Sequence, residues 1–171
     1  MRFIPPRTGL HEPARGGFRF DRKTHDMNAL FTIDDVGALL GISSPTAYRL
    51  ARKAKIATVS QGRKRGFTKD AVHEIIDAIE SITDEERHYF KKLASQGRPA
   101  VKKAIAARRW ISTTEVSCLL DTSRNTTLRW VALGAFLPVR DINSCPVFDV
   151  KDIVAYAVKA GVGIEWYRDQ T

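Results

Sequence analysis

The chain repeats itself. FTIDDVGALLGISSPTAYRLARKAKI at 31–56 lines up without a gap on ISTTEVSCLLDTSRNTTLRWVALGAF at 111–136. Hydroxyl residues open both stretches (Thr32, Ser112), an acid follows three positions on (Asp35, Glu115), and Val36 meets Val116. Leu39-Leu40 falls on Leu119-Leu120, Ser43 on Ser123, Thr46 on Thr126, Arg49 on Arg129 and Ile56 on Phe136. After a one-residue insertion Phe67 aligns with Phe148 and Val72 with Ile153. Agreement in caps, core positions and order predicts an internal duplication in which each copy is one supersecondary unit.

Local chemistry predicts what that unit is. Thr32 and Asp35 form a capping-box start, and Ile33, Val36, Leu39 and Leu40 share one helical face that Gly41 ends. Ser43 caps a second helix that tolerates Pro45 in its first turn, with Ala47, Leu50 and Ala51 inward. Ile56, Val59 and Phe67 sit in short extended segments around QGRKRG, where Gly62 makes a turn inexpensive. Thr68 then caps a helix with the stripe Val72, Ile75, Ile76 and Ile79. The order is helix, turn, helix, hairpin, helix. Between the copies, Thr83 and Glu86 open a helix DEERHYFKKLA whose Tyr89, Phe90 and Leu93 need a surface to bury against. SQGRP breaks it, and AVKKAIAARRW runs helical into the second copy.

Charge narrows the partner. The chain carries 28 Lys+Arg against 19 Asp+Glu, a net charge of +9, which favours a polyanion. Residues 1–29 contribute +3, 30–76 +4 and 77–109 +3, whereas 110–171 carry −1. Residues 1–29, rich in Pro, Gly and Arg, read as a flexible basic arm. No apolar run is long enough for a membrane span, and no secretory signal opens the chain. Cys118 and Cys145 form neither a CxxC pair nor a disulfide framework, so a reducing, cytoplasmic compartment is expected.

Residues 30–80 resemble the excisionase-type winged helix-turn-helix, the fold shared with the N-terminal domain of MerR-family regulators. Residues 110–157 resemble it less well, and no long dimerisation helix or effector domain of that family is evident. The resemblance implies a mainly α fold with small β-hairpin wings: two winged helix-turn-helix domains joined by a helical connector. Its expected layout is a basic arm (1–29), a first domain (30–82), a basic connector (83–109), a second domain (110–160) and a tail (161–171). It implies that the second helix of each unit reads the major groove of double-stranded DNA while the hairpin touches backbone or minor groove. In the first unit the expected outward positions are Ser44, Thr46, Arg49, Arg52 and Lys53, with Tyr48 either on a phosphate or partly buried as a structural residue. The wing is Gln61–Gly66, with Arg63, Lys64 and Arg65 at phosphates or in a narrow minor groove.

The second unit departs where contact matters most. Its helix offers Arg124, Asn125, Thr127 and Arg129, but Trp130, Leu133 and Phe136 are apolar and the hairpin RDINSCPVF holds one arginine and one aspartate. It reads a second half-site, dimerises, or holds another protein. The tail residues Ile164, Trp166 and Tyr167 are expected to cap its core. Gly97-Arg98-Pro99 is expected to be a helix start whose lysines face solvent or phosphate; a loose resemblance to the centre of an AT-hook is the alternative. The equivalent turn DINSCP keeps the hairpin without the charge, so Arg63-Lys64-Arg65 is expected to serve a ligand rather than the turn.

No enzyme is expected. The four histidines are scattered, no metal-ligand spacing, phosphate loop or nucleophile elbow appears, and the acid pairs Asp34-Asp35 and Asp84-Glu85-Glu86 belong to helix N-termini. No cofactor, metal or small-molecule ligand is implied. The expected role is a regulator or an excisionase-like recombination factor of a bacterium or mobile element, acting alone or as a homodimer through the second unit or the connector. The alternatives are a DNA-packaging adaptor like a phage small terminase subunit and a protein-interaction scaffold that does not meet DNA.

Overall fold

A computed structural model describes residues 30–62, 64–142 and 145–162. The basic arm and the tail from Gly163 lie outside the described residues. Helix α1 (Ile33–Leu40) starts at the predicted capping box, and Gly41 ends it in the left-handed region with φ 67°. Ser43 caps α2 (Ser44–Lys53), which carries Pro45 in its first turn. Strands β1 (Val59–Gln61) and β2 (Lys64–Gly66) pair antiparallel around Gly62, whose φ of 61° meets the turn's need for a residue without Cβ. Thr68 caps α3 (Lys69–Asp77). The predicted capping box of Thr83 and Glu86 opens α4 (Asp84–Gln96), Gly97 breaks the chain, and α5 (Arg98–Ala106) follows.

Residues 110–160 then run through β3 (Trp110–Ser112), α6 (Thr113–Leu119), α7 (Arg124–Ala132), β4 (Arg140–Ile142), β5 (Cys145–Asp149) and α8 (Val150–Ala160). The sheet order is β3-β5-β4, all antiparallel. Ile111 lies opposite Phe148 in this sheet, as Phe31 lies opposite Phe67 in an isolated bridge of the first unit. All four side chains are buried. Gly66 keeps the first bridge close, because a Cβ there would stand 2.5 Å from the Phe31 carbonyl oxygen.

One continuous cluster of buried side chains runs through the molecule. It joins Val36, Leu39 and Ile75 of the first unit, Val101 and Ile105 of α5, and Val116, Leu119 and Ile153 of the second. Phe90 and Leu93 of α4 pack on it, which gives two of the three apolar residues of that helix their surface; Tyr89 stays exposed. Arg87 ties α4 to the C-terminal end of α3 by donating to the Ile76, Asp77 and Ile79 carbonyls at 3.0, 3.0 and 3.1 Å. Two of these carbonyls lie in the last turn of α3, where a helix end leaves acceptors to be satisfied, and the third lies just beyond it.

Helix α1 is the hub, packing against α2, α4, α5 and α6. Its contact with α6 is close because Gly37 has no side chain. A Cβ at Gly37 would lie 2.9 Å from the Thr114 methyl and 2.9 Å from the Ile42 carbonyl oxygen. Ionic contacts reinforce the junction. Buried Asp35 closes the α1 capping box with a 2.7 Å bond from the Thr32 amide and pairs with Arg98 Nε at 2.7 Å. Arg98 also reaches Asp121 at 2.6 Å, and Lys102 pairs with the same carboxylate. Asp121 occupies the left-handed region (φ 51°) at the α6–α7 turn, where the first unit has Gly41, so a residue that tolerates this conformation also gains a charge to use.

One expectation about the connector is met and one is corrected. Arg98 is the first residue of α5 and is held by Asp35 and Asp121, so Gly97-Arg98-Pro99 is the expected helix start and not a free minor-groove finger. Lys102, expected to face solvent or phosphate, is buried against Asp121, because α5 packs its flank on α1 and α6. Replacing Gly37 by Val should lower unfolding stability by about 1–3 kcal/mol through overpacking, measured in urea. An unchanged midpoint would mean that α1 and α6 are not in close contact.

Candidate nucleic-acid interface

The first unit presents its basic residues on one side of α2. Tyr48, Arg49, Arg52 and Lys53 are exposed, and the spacing of i, i+1, i+4 and i+5 places them on one helical face. At the N-terminal end Ser43 Oγ accepts from the Thr46 amide at 3.3 Å and bonds its hydroxyl at 2.9 Å. Arg49 donates to Thr46 Oγ1 at 3.3 Å, which lays the guanidinium along the helix surface. Thr46 is half-buried and Tyr48 is 53% exposed, so the tyrosine is a surface residue rather than a partly buried one.

The hairpin extends this surface. Arg65 is exposed and pairs across the ladder with Ser60. Arg63 and the side chain of Lys64 lie outside the described residues. Lys55, which sequence reasoning did not single out, is exposed with φ 55° at the link between α2 and the hairpin. Its signal was present in the run Arg52-Lys53-Ala54-Lys55. From Ser43 to Phe67 the chain has seven Lys and Arg and no Asp or Glu. Among the described residues Arg49, Arg52, Lys53, Lys55 and Arg65 are exposed, and a helix face and hairpin of one sign attract a polyanion.

Two expected outward residues face inward. Ser44 is buried, and its hydroxyl donates to Asp34 and lies 3.5 Å from Thr114 Oγ1. Thr127 is fully buried, bonded to Ser117 Oγ at 2.8 Å. Both positions lie on the side of their helix that packs against α1 or α6, so neither hydroxyl is free for a base edge. Burial pushes the Asp34 carboxyl above its ordinary range and neighbouring Asp35 adds to this, while the Ser44 hydroxyl and the Arg124 backbone N–H act against it. The hydroxyl is therefore a structural partner of a costly buried acid.

In the second unit α7 exposes Asn125 and Arg129 and half-buries Arg124. Ser123 caps it, accepting from the Thr126 amide at 3.1 Å. The hairpin β4–β5 has the expected strands, but its arginine is engaged: Arg140 lies over the Trp110 ring at 5.4 Å, as Arg109 does at 4.5 Å. Beyond α7, Leu133, Leu137 and Val139 are exposed. Both cysteines are free, with Cys118 buried and Cys145 exposed. Among the described residues no group of three or more His, Cys, Asp or Glu could hold a metal, and no helix is long and apolar enough to cross a membrane.

With this geometry described, comparison with known proteins adds one match. A protein-family model described as a helix-turn-helix domain matches residues 30–78, the stretch from the Phe31 bridge through α3. Residues 110–160 fall outside that match. No curated protein and no solved structure matches the chain. The first unit is a helix-turn-helix domain, with α1 and α2 as two consecutive helices inside the matched stretch.

Replacing Ser44 by Ala should cost about 1–3 kcal/mol of stability, because Asp34 loses a buried donor. The salt dependence of duplex binding should stay as in the parent. A flattened salt slope in this variant would place Ser44 at the ligand instead.

Proposed function

We propose that this chain binds double-stranded DNA in a sequence-specific way, as a transcriptional regulator or an excisionase-like recombination accessory factor. The observation that carries this reading is the acid-free basic surface of α2 and the β1–β2 hairpin inside the matched helix-turn-helix domain. On this reading α2 lies in the major groove. Arg49 and Arg52 are placed to reach guanine or phosphate, Lys53 and Tyr48 flank the backbone, and Thr46 sits at the helix N-terminal turn. Arg63, Lys64 and Arg65 of the wing meet phosphates, with Lys55 beside them.

We further read residues 110–160 as a second, divergent unit of the same kind. What supports this is the common order of helix, helix, hairpin and helix, and the equivalent pairings of Phe31 with Phe67 and Ile111 with Phe148. In this unit Arg124, Asn125 and Arg129 are the available polar contacts. The proposed layout is a reader at 30–82, a helical segment at 83–109 and the second unit at 110–160.

Replacing Arg63, Lys64 and Arg65 together by Ala should weaken binding to every duplex and flatten the salt slope by about one to three ion equivalents. The measurement is a series of fluorescence anisotropy titrations across salt concentrations, and an unchanged slope would remove the wing from the interface. Replacing Arg49 or Arg52 should cost about 1–3 kcal/mol and relax preference at one base position if that side chain reads a base. A parent protein with no salt-dependent affinity for any duplex would overturn the DNA reading altogether.

A further inference from the structure

Two reading helices on one chain ordinarily suggest two half-sites one helical turn apart. Recognition helices that occupy successive major grooves on one face of a duplex have centres about 34 Å apart. The contacts between the two units make that spacing unattainable. Ser44, the first residue of α2, lies with its hydroxyl 3.5 Å from that of Thr114 in α6. Three residues along α6, Ser117 bonds Thr127 at 2.8 Å, and Thr127 adjoins the midpoint of α7.

Each of these hydroxyl links spans about 8 Å between Cα atoms at full covalent reach, and the step along α6 about 5 Å. Half the length of α2 adds about 7 Å. Even if every link pointed straight outward, the midpoints of α2 and α7 would be no more than about 30 Å apart. Asp34 draws them closer, since it accepts from the Ser44 hydroxyl and lines one small cleft with Ser123, the N-cap of α7. The N-terminal turns of the two helices therefore meet beside a single carboxylate. The clusters on either side of this junction are continuous, so the spacing is built into the core and does not depend on a flexible linker.

We propose that one chain reads one contiguous stretch of duplex, with α2 and α7 addressing adjoining base pairs from helix N-termini that abut at Asp34. This rests on the DNA-binding reading above. Arg49 and Arg129, equivalent and both exposed, are the side chains that specify the two adjoining parts of the site. The second helix acts as a specificity extension to the first, and the wing supplies the phosphate grip for both.

The test is a selection of bound sequences from a random-duplex pool, followed by titration of the enriched duplex with the full chain, Arg49→Ala and Arg129→Ala. Light scattering on the complex restricts the reading to one chain per duplex, and circular dichroism shows that both variants keep the helical content. The expected motif is contiguous and spans about one helical turn or less. R49A should lose about tenfold to hundredfold discrimination at one position, and R129A a similar amount at a different position of the same stretch. Two half-motifs centred a full turn apart and bound by one chain would overturn the proposal. So would an R129A variant with an unaltered preference at every position. Failure to enrich any sequence, with no salt-dependent binding, counts against the DNA reading itself and removes this inference with it.

Discussion

The close approach of α1 to α6 is the constraint on which the rest of the structure depends. Gly37 permits it, because any side chain there would meet the Thr114 methyl and the Ile42 carbonyl. Once the two helices lie this close, everything attached to them is positioned. α1 orients α2 through Asp34 and Ser44, and α6 orients α7 through Ser117 and Thr127. A helix-turn-helix unit has a small core of its own, and small cores supply little stability. Sharing one cluster across both units and α5 lets each short helix bury its apolar face on more than one neighbour.

Burying Asp34 and Asp35 at this junction has a cost that the structure meets in two different ways. Asp35 gains a guanidinium and a capping-box amide, so its charge is paired and hydrogen-bonded. Asp34 gains a hydroxyl and a backbone N–H, and burial still moves its carboxyl upward. Arg98 and Lys102 continue the network to Asp121, which lies in the turn of the other unit. The segment between the two units therefore does more than span them. It supplies the cations that let acids of both units sit near the shared core.

Much of this was legible in the sequence, and the reason is local. Caps at Thr32, Ser43, Thr68 and Thr83, and turns at Gly41 and Gly62, follow from chemistry within a few residues, and each appears where its residue types predicted. The pairing of Phe31 with Phe67 was only half visible, as a Phe at the end of a short extended segment. What stayed hidden was contact between distant segments. Gly37 carries no signal among its sequence neighbours, because its meaning lies 77 positions away at Thr114. Ser44 and Thr127 were misplaced for the same reason: a hydroxyl near a helix start reads as available until the partner that buries it is known. The alignment held a hint for Thr127, which falls on inward-facing Ala47. Polarity outweighed position in that reading.

The uneven charge of the two units has a consequence for how the molecule approaches a polyanion. Arg109 and Arg140 lean on the indole, and cation–π attraction of this kind holds a guanidinium against the ring. Near the second hairpin, exposed Asp141 then stands beside an arginine already engaged, while the first hairpin and α2 carry charge of one sign. The molecule is electrically lopsided along the line that joins its two units. A dipole of this sort exerts a torque on the protein as it nears a polyanion, turning the first hairpin forward before any short-range contact forms. On the DNA-binding reading proposed above, that torque would bring the basic unit to the polyanion ahead of the other.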